Sequence, residues 1–135
     1  MQDLKKPVTP LRFDPLSKPK GWLRLTLACK NSFKALLWLT KNEAAFKQEL
    51  VLLFVALLVL GYWQIPLFQS GILIVSILFV LFAEIVNTAI EVTIDRVGQE
   101  IHPLSGLAKD LGSAGVSLSM IMAAVLWISV LLSYL

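Results

Sequence analysis

Three carboxylates sit where an apolar chain has least use for them. In "AEIVNTAIEVTIDR", residues 83–96, Glu84, Glu91 and Asp95 follow a run of leucine, isoleucine and valine. At about 100° per residue, 84 and 91 differ by roughly 20° around a helix and 91 and 95 by roughly 40°. Asn87 and Thr88 fall near the same stripe. A rise of about 1.5 Å per residue sets Glu84 and Glu91 about 10.5 Å apart along the axis, with Asp95 about 6 Å further on. A carboxylate withdrawn from water is a competent general base for a hydroxyl, and one nearer water can hold Mg²⁺ and through it a polyphosphate. The first would meet a lipid alcohol and the second a nucleotide, which is the arrangement a lipid kinase needs.

Long apolar segments must position these groups. The chain has 135 residues, 57% of them hydrophobic, and a mean hydropathy of +0.77, which excludes an ordinary soluble domain. Apolar runs at roughly 48–65, 67–92 and 112–135 each approach the ~20 residues that an α-helix needs to cross a membrane. The expected fold is all-α: a surface helix over 21–41 and spans over 43–65, 67–96 and 112–135, a single membrane domain behind a mobile tail at 1–20. That tail carries Pro7, Pro10, Pro15 and Pro19, which oppose regular structure.

Charge suggests the orientation. Ten of the twelve Lys and Arg residues precede the apolar run at 48–65, and the last two, Arg96 and Lys109, lie between the second and third runs. The positive-inside rule therefore places the N-terminus and the 95–111 loop in the cytoplasm and the C-terminus outside. Tyr62, Trp63 and Tyr134 would form the outer aromatic belt. No secretory signal is expected, because the start of the chain lacks an early apolar core. Trp22, Leu25, Cys29, Phe33, Leu36 and Leu37 recur at helical spacing beside Lys30, Lys34 and Lys41, a pattern suited to the inner membrane surface. Cys29 is expected to pack there as a small apolar residue.

Connections carry further candidates. In "KNEAAFKQE", residues 41–49, Asn42 is a candidate N-cap for the first span and Glu43 falls at its first turn, where a carboxylate suits the helix dipole. Gly61 to Gly71, with Pro66, is expected to form a short turn. "HPLSGLAKDLGSAG", residues 102–115, pairs Lys109 with Asp110 before the third span. Lys109 could snorkel to headgroups or neutralise a γ-phosphate while Asp110 helps to orient the nucleotide. The loops of soluble kinases and P-loop enzymes are absent, and a lone His102 is too little for a histidine-rich metal site.

"NEAAFKQE" (42–49), "EIVNTAIEVTIDRVG" (84–98) and "HPLSGLAKDLGSAGV" (102–116) together resemble the prokaryotic diacylglycerol kinase family, in order and with family-like spacing over about 21–135. The resemblance implies a homotrimer in the bacterial inner membrane, with composite sites between subunits at the cytoplasmic face and no nucleic-acid partner. It implies transfer of the γ-phosphate of ATP, with Mg²⁺, to diacylglycerol among the membrane lipids, giving phosphatidic acid. Position by position, Glu84 resembles the general base, Glu43 and Glu91 the metal-holding carboxylates, and Asn87 a support of the reacting centre. Lys109 and Asp110 resemble nucleotide contacts; Asp95, Glu100 and His102 resemble residues around the nucleoside. Arg24 resembles a basic contact to nucleotide and lipid, and Ser113 a residue near the lipid acceptor. Position 31, also on the nucleotide side, holds Asn31 where the best-known members carry an aromatic residue; Leu27 replaces Lys and Leu107 replaces Arg.

Two other readings compete. Gram-positive relatives resemble this chain but phosphorylate undecaprenol, a choice set by groove shape. A small proton- or ion-pathway subunit could use Glu84 as a relay. Against it, residues 70–83 of the second span offer only Ser70 and Ser76 as polar groups.

Overall fold

The computed structural model describes residues 20–98 and 102–134. Four helices follow one another: α1 (Gly21–Asn42), α2 (Ala44–Trp63), α3 (Leu67–Val97) and α4 (Pro103–Leu132). The last three are long and apolar enough to cross a membrane. The chain divides into two compact units between Leu36 and Leu37, within α1.

The described part of the first unit is helical from Gly21 onward, with Trp22, Leu23, Leu25 and Phe33 exposed. Cys29 is exposed there as well. In the second unit α3 is the central element, packing against α2 on one side and α4 on the other. Its buried residues are Leu73, Ser76, Ile77, Val80, Leu81, Glu84, Asn87 and Thr88. That is one unbroken stripe of three- and four-residue steps, the helical signature of a buried face. The polar residues at its end continue the line of the core.

Two apolar clusters hold the unit. One joins Leu39, Phe46 and Leu81 with Trp38, Leu50, Leu53 and Ile85; the other joins Leu60, Ile65 and Leu73 with Ile74, Trp127, Val130 and Leu131. They sit at opposite ends of α2, against the middle and the start of α3, because α2 and α3 form an antiparallel hairpin. Its turn is tighter than the glycines suggest: only Gln64, Ile65 and Pro66 leave the helices, and Gly61 and Gly71 are helical. Gln64 supplies the left-handed residue (φ 50°) that ends α2, and Pro66 precedes the first turn of α3. At the same end Trp127 Nε1 donates to the Leu73 carbonyl at 3.3 Å, and the Tyr134 hydroxyl donates to Gln69.

The junction before α2 also departs from expectation. Asn42 does not cap α2; it is the last residue of α1 and its side-chain amide donates to the Trp38 carbonyl at 2.7 Å. Glu43 itself is the N-cap, with extended backbone (φ −106°, ψ 119°). The segment expected as a loop over 95–111 is helical through Val97 and again from Pro103. Its second helix starts early because His102 Nδ1 accepts from the Leu104 N–H at 3.2 Å and Pro103 occupies the first turn, where no donor is missed.

Close approach of α4 to α3 depends on small residues. Gly112, Ser119 and Ala123 recur along the inward line of α4, with Ser119 and Ala123 buried, the side-chain economy used between helices in lipid. At Gly112 an added Cβ would collide with Asn87 Oδ1 and come within 3.4 Å of its Cγ, whereas at Gly115 it would meet nothing within 4 Å. Gly112→Ala is therefore expected to cost about 1–3 kcal/mol of overpacking and to lower the thermal unfolding midpoint in detergent, while Gly115→Ala leaves it near the parent value. Equal midpoints for the two variants would show that the helices separate without penalty.

Candidate active site

The carboxylates of α3 emerge from the core in order. Glu84 is buried, Glu91 is half-buried and Asp95 is exposed, so the one face inferred from spacing is also a gradient from dry to wet. The start of α2 brings two more acids to this end of the bundle. Glu43 caps the helix, and its charge interacts with that of Glu84, as does the charge of Glu91. Glu49 lies deeper, only 3% exposed, and interacts electrostatically with Glu84.

Asn87 links the levels. Its Nδ2 donates to Glu91 Oε1 at 3.2 Å, which fixes one carboxylate oxygen. Its Oδ1 is buried without a hydrogen-bond partner, against the backbone of Gly112. An orphaned acceptor of this kind marks a site whose complement is incomplete in the protein alone.

From α4 comes the cation. Lys109 lies on the inward side of that helix and its Nζ contacts Asp95 Oδ1 at 2.6 Å. Both side chains are substantially open to water, at 40% and 61% exposure, so the pair contributes little to stability. Its consequence is positional: the ammonium is held at the wet end of the stripe, within electrostatic range of Glu91. Asp110 and Ser113 are exposed on α4, and His102 is occupied as the N-cap of that helix.

The structure thus brings together Glu43, Glu84, Asn87, Glu91, Asp95 and Lys109. Arg24 and Asn31 belong to the first unit, where both are exposed, and Glu100 lies outside the described residues. Glu49 is the group that sequence reasoning passed over. Its position beside Lys47 and Gln48 resembles a polar margin to the span; the signal available was its spacing from Phe46, Leu50 and Leu53, which places it on the buried face.

Glu43 and Glu91 suit a hard divalent cation. Magnesium takes one or two protein carboxylates and fills its remaining positions with water and phosphate oxygen, and both acids flank the buried Glu84 at the open end of the stripe.

Comparison with known proteins identifies the family. Residues 30–131 match the family model described as prokaryotic diacylglycerol kinase. The chain is 40% identical over 114 residues to a diacylglycerol kinase of Escherichia coli strain K12, covering 84% of this chain and 93% of that protein. A diacylglycerol kinase of Pseudomonas aeruginosa is 37% identical, with 87% and 96% covered, and one of Haemophilus influenzae 35% identical, with 82% and 93% covered. Three apolar helices and these relatives describe an integral membrane kinase, and the chain belongs to the prokaryotic diacylglycerol kinase family.

Proposed function

We propose that this protein transfers the γ-phosphate of Mg-ATP to the free hydroxyl of diacylglycerol, giving phosphatidic acid at the cytoplasmic face of the inner membrane. The observation that carries the reading is the graded stripe on α3, from buried Glu84 through Glu91 to exposed Asp95, with Lys109 at its wet end. A lipid hydroxyl reaches the stripe from the apolar side and a nucleotide from the aqueous side.

In this mechanism Glu84 accepts the proton as the O–H bond of the acceptor breaks. The freed oxygen forms a bond to the γ-phosphorus, and the bond to the bridging β–γ oxygen breaks with its electron pair remaining on ADP. Glu43 and Glu91 hold the divalent cation, which when bound offsets the charge of the phosphate oxygens. Asn87 keeps Glu91 in orientation through Nδ2. Lys109 leaves Asp95 and turns to the γ-phosphate, an exchange of one exposed anion for another of higher charge. Asp110 joins Lys109 in contacting the nucleotide, and Asp95, His102 and Glu100 are assigned to its nucleoside. Ser113 lies towards the lipid acceptor, and Arg24 and Asn31 contribute from the surface helix.

That helix rests on the membrane through Trp22, Leu25 and Phe33, and the functional unit is a homotrimer with sites shared between chains. Exposed apolar residues along the three spans, among them Val51, Phe54, Val75 and Ile121, supply surface for both neighbours and lipid. The N-terminus is cytoplasmic and the C-terminus is outside, with Tyr62, Trp63 and Tyr134 at the outer interface.

The direct test offers the purified protein Mg-ATP labelled at the γ-phosphate in mixed micelles, with diacylglycerol and undecaprenol in separate reactions. Phosphatidic acid is the expected product; undecaprenyl phosphate alone would replace the acceptor, and no transfer by folded protein would reject the reaction. Glu84→Gln keeps the shape and removes the base, so kcat is expected to fall about 10²–10⁴-fold with no loss of thermal stability; near-parent turnover would remove Glu84 from that role. Glu91→Gln keeps an oxygen for Asn87 to donate to and loses only the charge. The magnesium concentration for half-maximal rate is expected to rise about 10–100-fold, and an unchanged requirement would contradict metal binding by Glu91.

A further inference from the structure

Glu49 has no part in the mechanism above, yet it is the most deeply buried ionisable side chain among the described residues. It is 3% exposed against 7% for Glu84. Both of its carboxylate oxygens are buried without a hydrogen-bond partner. An isolated anion so placed would cost several kcal/mol, and a carboxylic acid with no acceptor would also leave hydrogen-bonding capacity unused. The position calls for a partner.

The packing identifies it. Glu49 shares a face of α2 with Phe46, Leu50 and Leu53, and these pack in one cluster with Leu81 and Ile85 of α3. Leu81 and Ile85 flank Glu84 on its helix, so the two acids face one another across the hairpin. Depth agrees as well. Glu49 lies about 9 Å along α2 from Glu43, and Glu84 about 10.5 Å along α3 from Glu91; because the helices run antiparallel, Glu49 and Glu84 both lie inward of the acids nearer the helix ends. The charge that Glu49 encounters from α3 is that of Glu84. Glu84 in turn encounters Glu91 and Glu43, while Lys109 on α4 encounters Asp95 and Glu91.

Two carboxylates facing each other away from water do not both ionise; they share one proton. We propose that Glu49 is a positioning residue for Glu84: carrying that proton, it donates a hydrogen bond to the Glu84 carboxylate and holds it as the anion aimed at the acceptor hydroxyl. This rests on the assignment of Glu84 as base. During transfer the hydroxyl proton passes to Glu84, so the pair holds two protons until one returns to water after the phosphorylated lipid leaves. Glu49 is thus retained as a donor, not as a charge.

Two substitutions separate donor from packing. Glu49→Met fills the volume without a donor, and Glu49→Gln keeps a donor at the same reach. In the full-length protein in mixed micelles, Glu49→Met is expected to lower kcat about 100-fold, the scale of a misplaced catalytic group, with little change in KM for Mg-ATP. Its unfolding midpoint is expected to stay near the parent's, since methionine fills the volume of the lost side chain. Glu49→Gln is expected to recover about tenfold or more of that loss, as a conservative second-shell replacement does. Parent-like kcat in Glu49→Met would reduce Glu49 to packing, and Glu49→Gln no better than Glu49→Met would show that its charge is what matters; either overturns the proposal.

Infrared spectroscopy reads the pair without turnover. The carbonyl band of a protonated carboxylic acid is expected at neutral pH, lost in Glu49→Gln and displaced in Glu84→Gln, where the acceptor becomes an amide. No such band in the parent protein would overturn the shared proton. The band with both dependences, in a protein that transfers no phosphate to lipid, would reject the lipid-kinase reading alone and leave the pair standing.

Discussion

The burial of a carboxylate on the central helix is the constraint around which the rest of this structure is arranged. Glu84 is 7% exposed, and a buried ionisable group is tolerated only where packing holds it in a fixed place with its polar atoms provided for. Helix α3 meets that condition by carrying its core and its chemistry on one stripe: Leu73, Ile77 and Val80 lock the helix face that continues through Glu84 and Asn87. A rotation that moved Glu84 out of line would also expose the core.

The same economy governs α4. Lys109 and Gly112 belong to the inward line that buries Ser119 and Ala123, so the ammonium arrives at Asp95 as a consequence of packing. Gly112 then lets Asn87 lie against the α4 backbone, and Asn87 sets Glu91. A chain of ordinary van der Waals requirements ends in the orientation of one carboxylate.

Much of this was legible in the residues because helices in lipid leave few alternatives. The carboxylate face followed from residue spacing alone, and the number of long apolar helices from run length. Local capping was less legible. Asn42 has the composition of an N-cap, but its amide finds the Trp38 carbonyl first, and the one-residue break falls at Glu43. The early start of α4 was hidden because residues 103–111 are not apolar; its signals were His102 and Pro103, which speak for a cap and not for hydropathy. A short turn was expected over Gly61 to Gly71, but both glycines are helical and Gln64 takes the left-handed position. Glu49 was missed for a tertiary reason, since which face of α2 is buried depends on where α3 lies.

Charge balance gives these parts a common direction. Glu43, Glu49, Glu84, Glu91 and Asp95 gather at one end of α2 and α3, where Lys109 engages the outermost acid. Acids at this density repel a polyphosphate unless cations come with it, and a metal-nucleotide complex brings its own. On the proposed assignments, a proton shared by Glu49 and Glu84 beside the apolar cluster of Phe46 and Leu81 does what a metal would do for Glu43 and Glu91. Graded exposure along α3 would then sort the acids by the cation each receives: a proton where the helix is dry, a divalent ion where it meets water, and an ammonium at the rim.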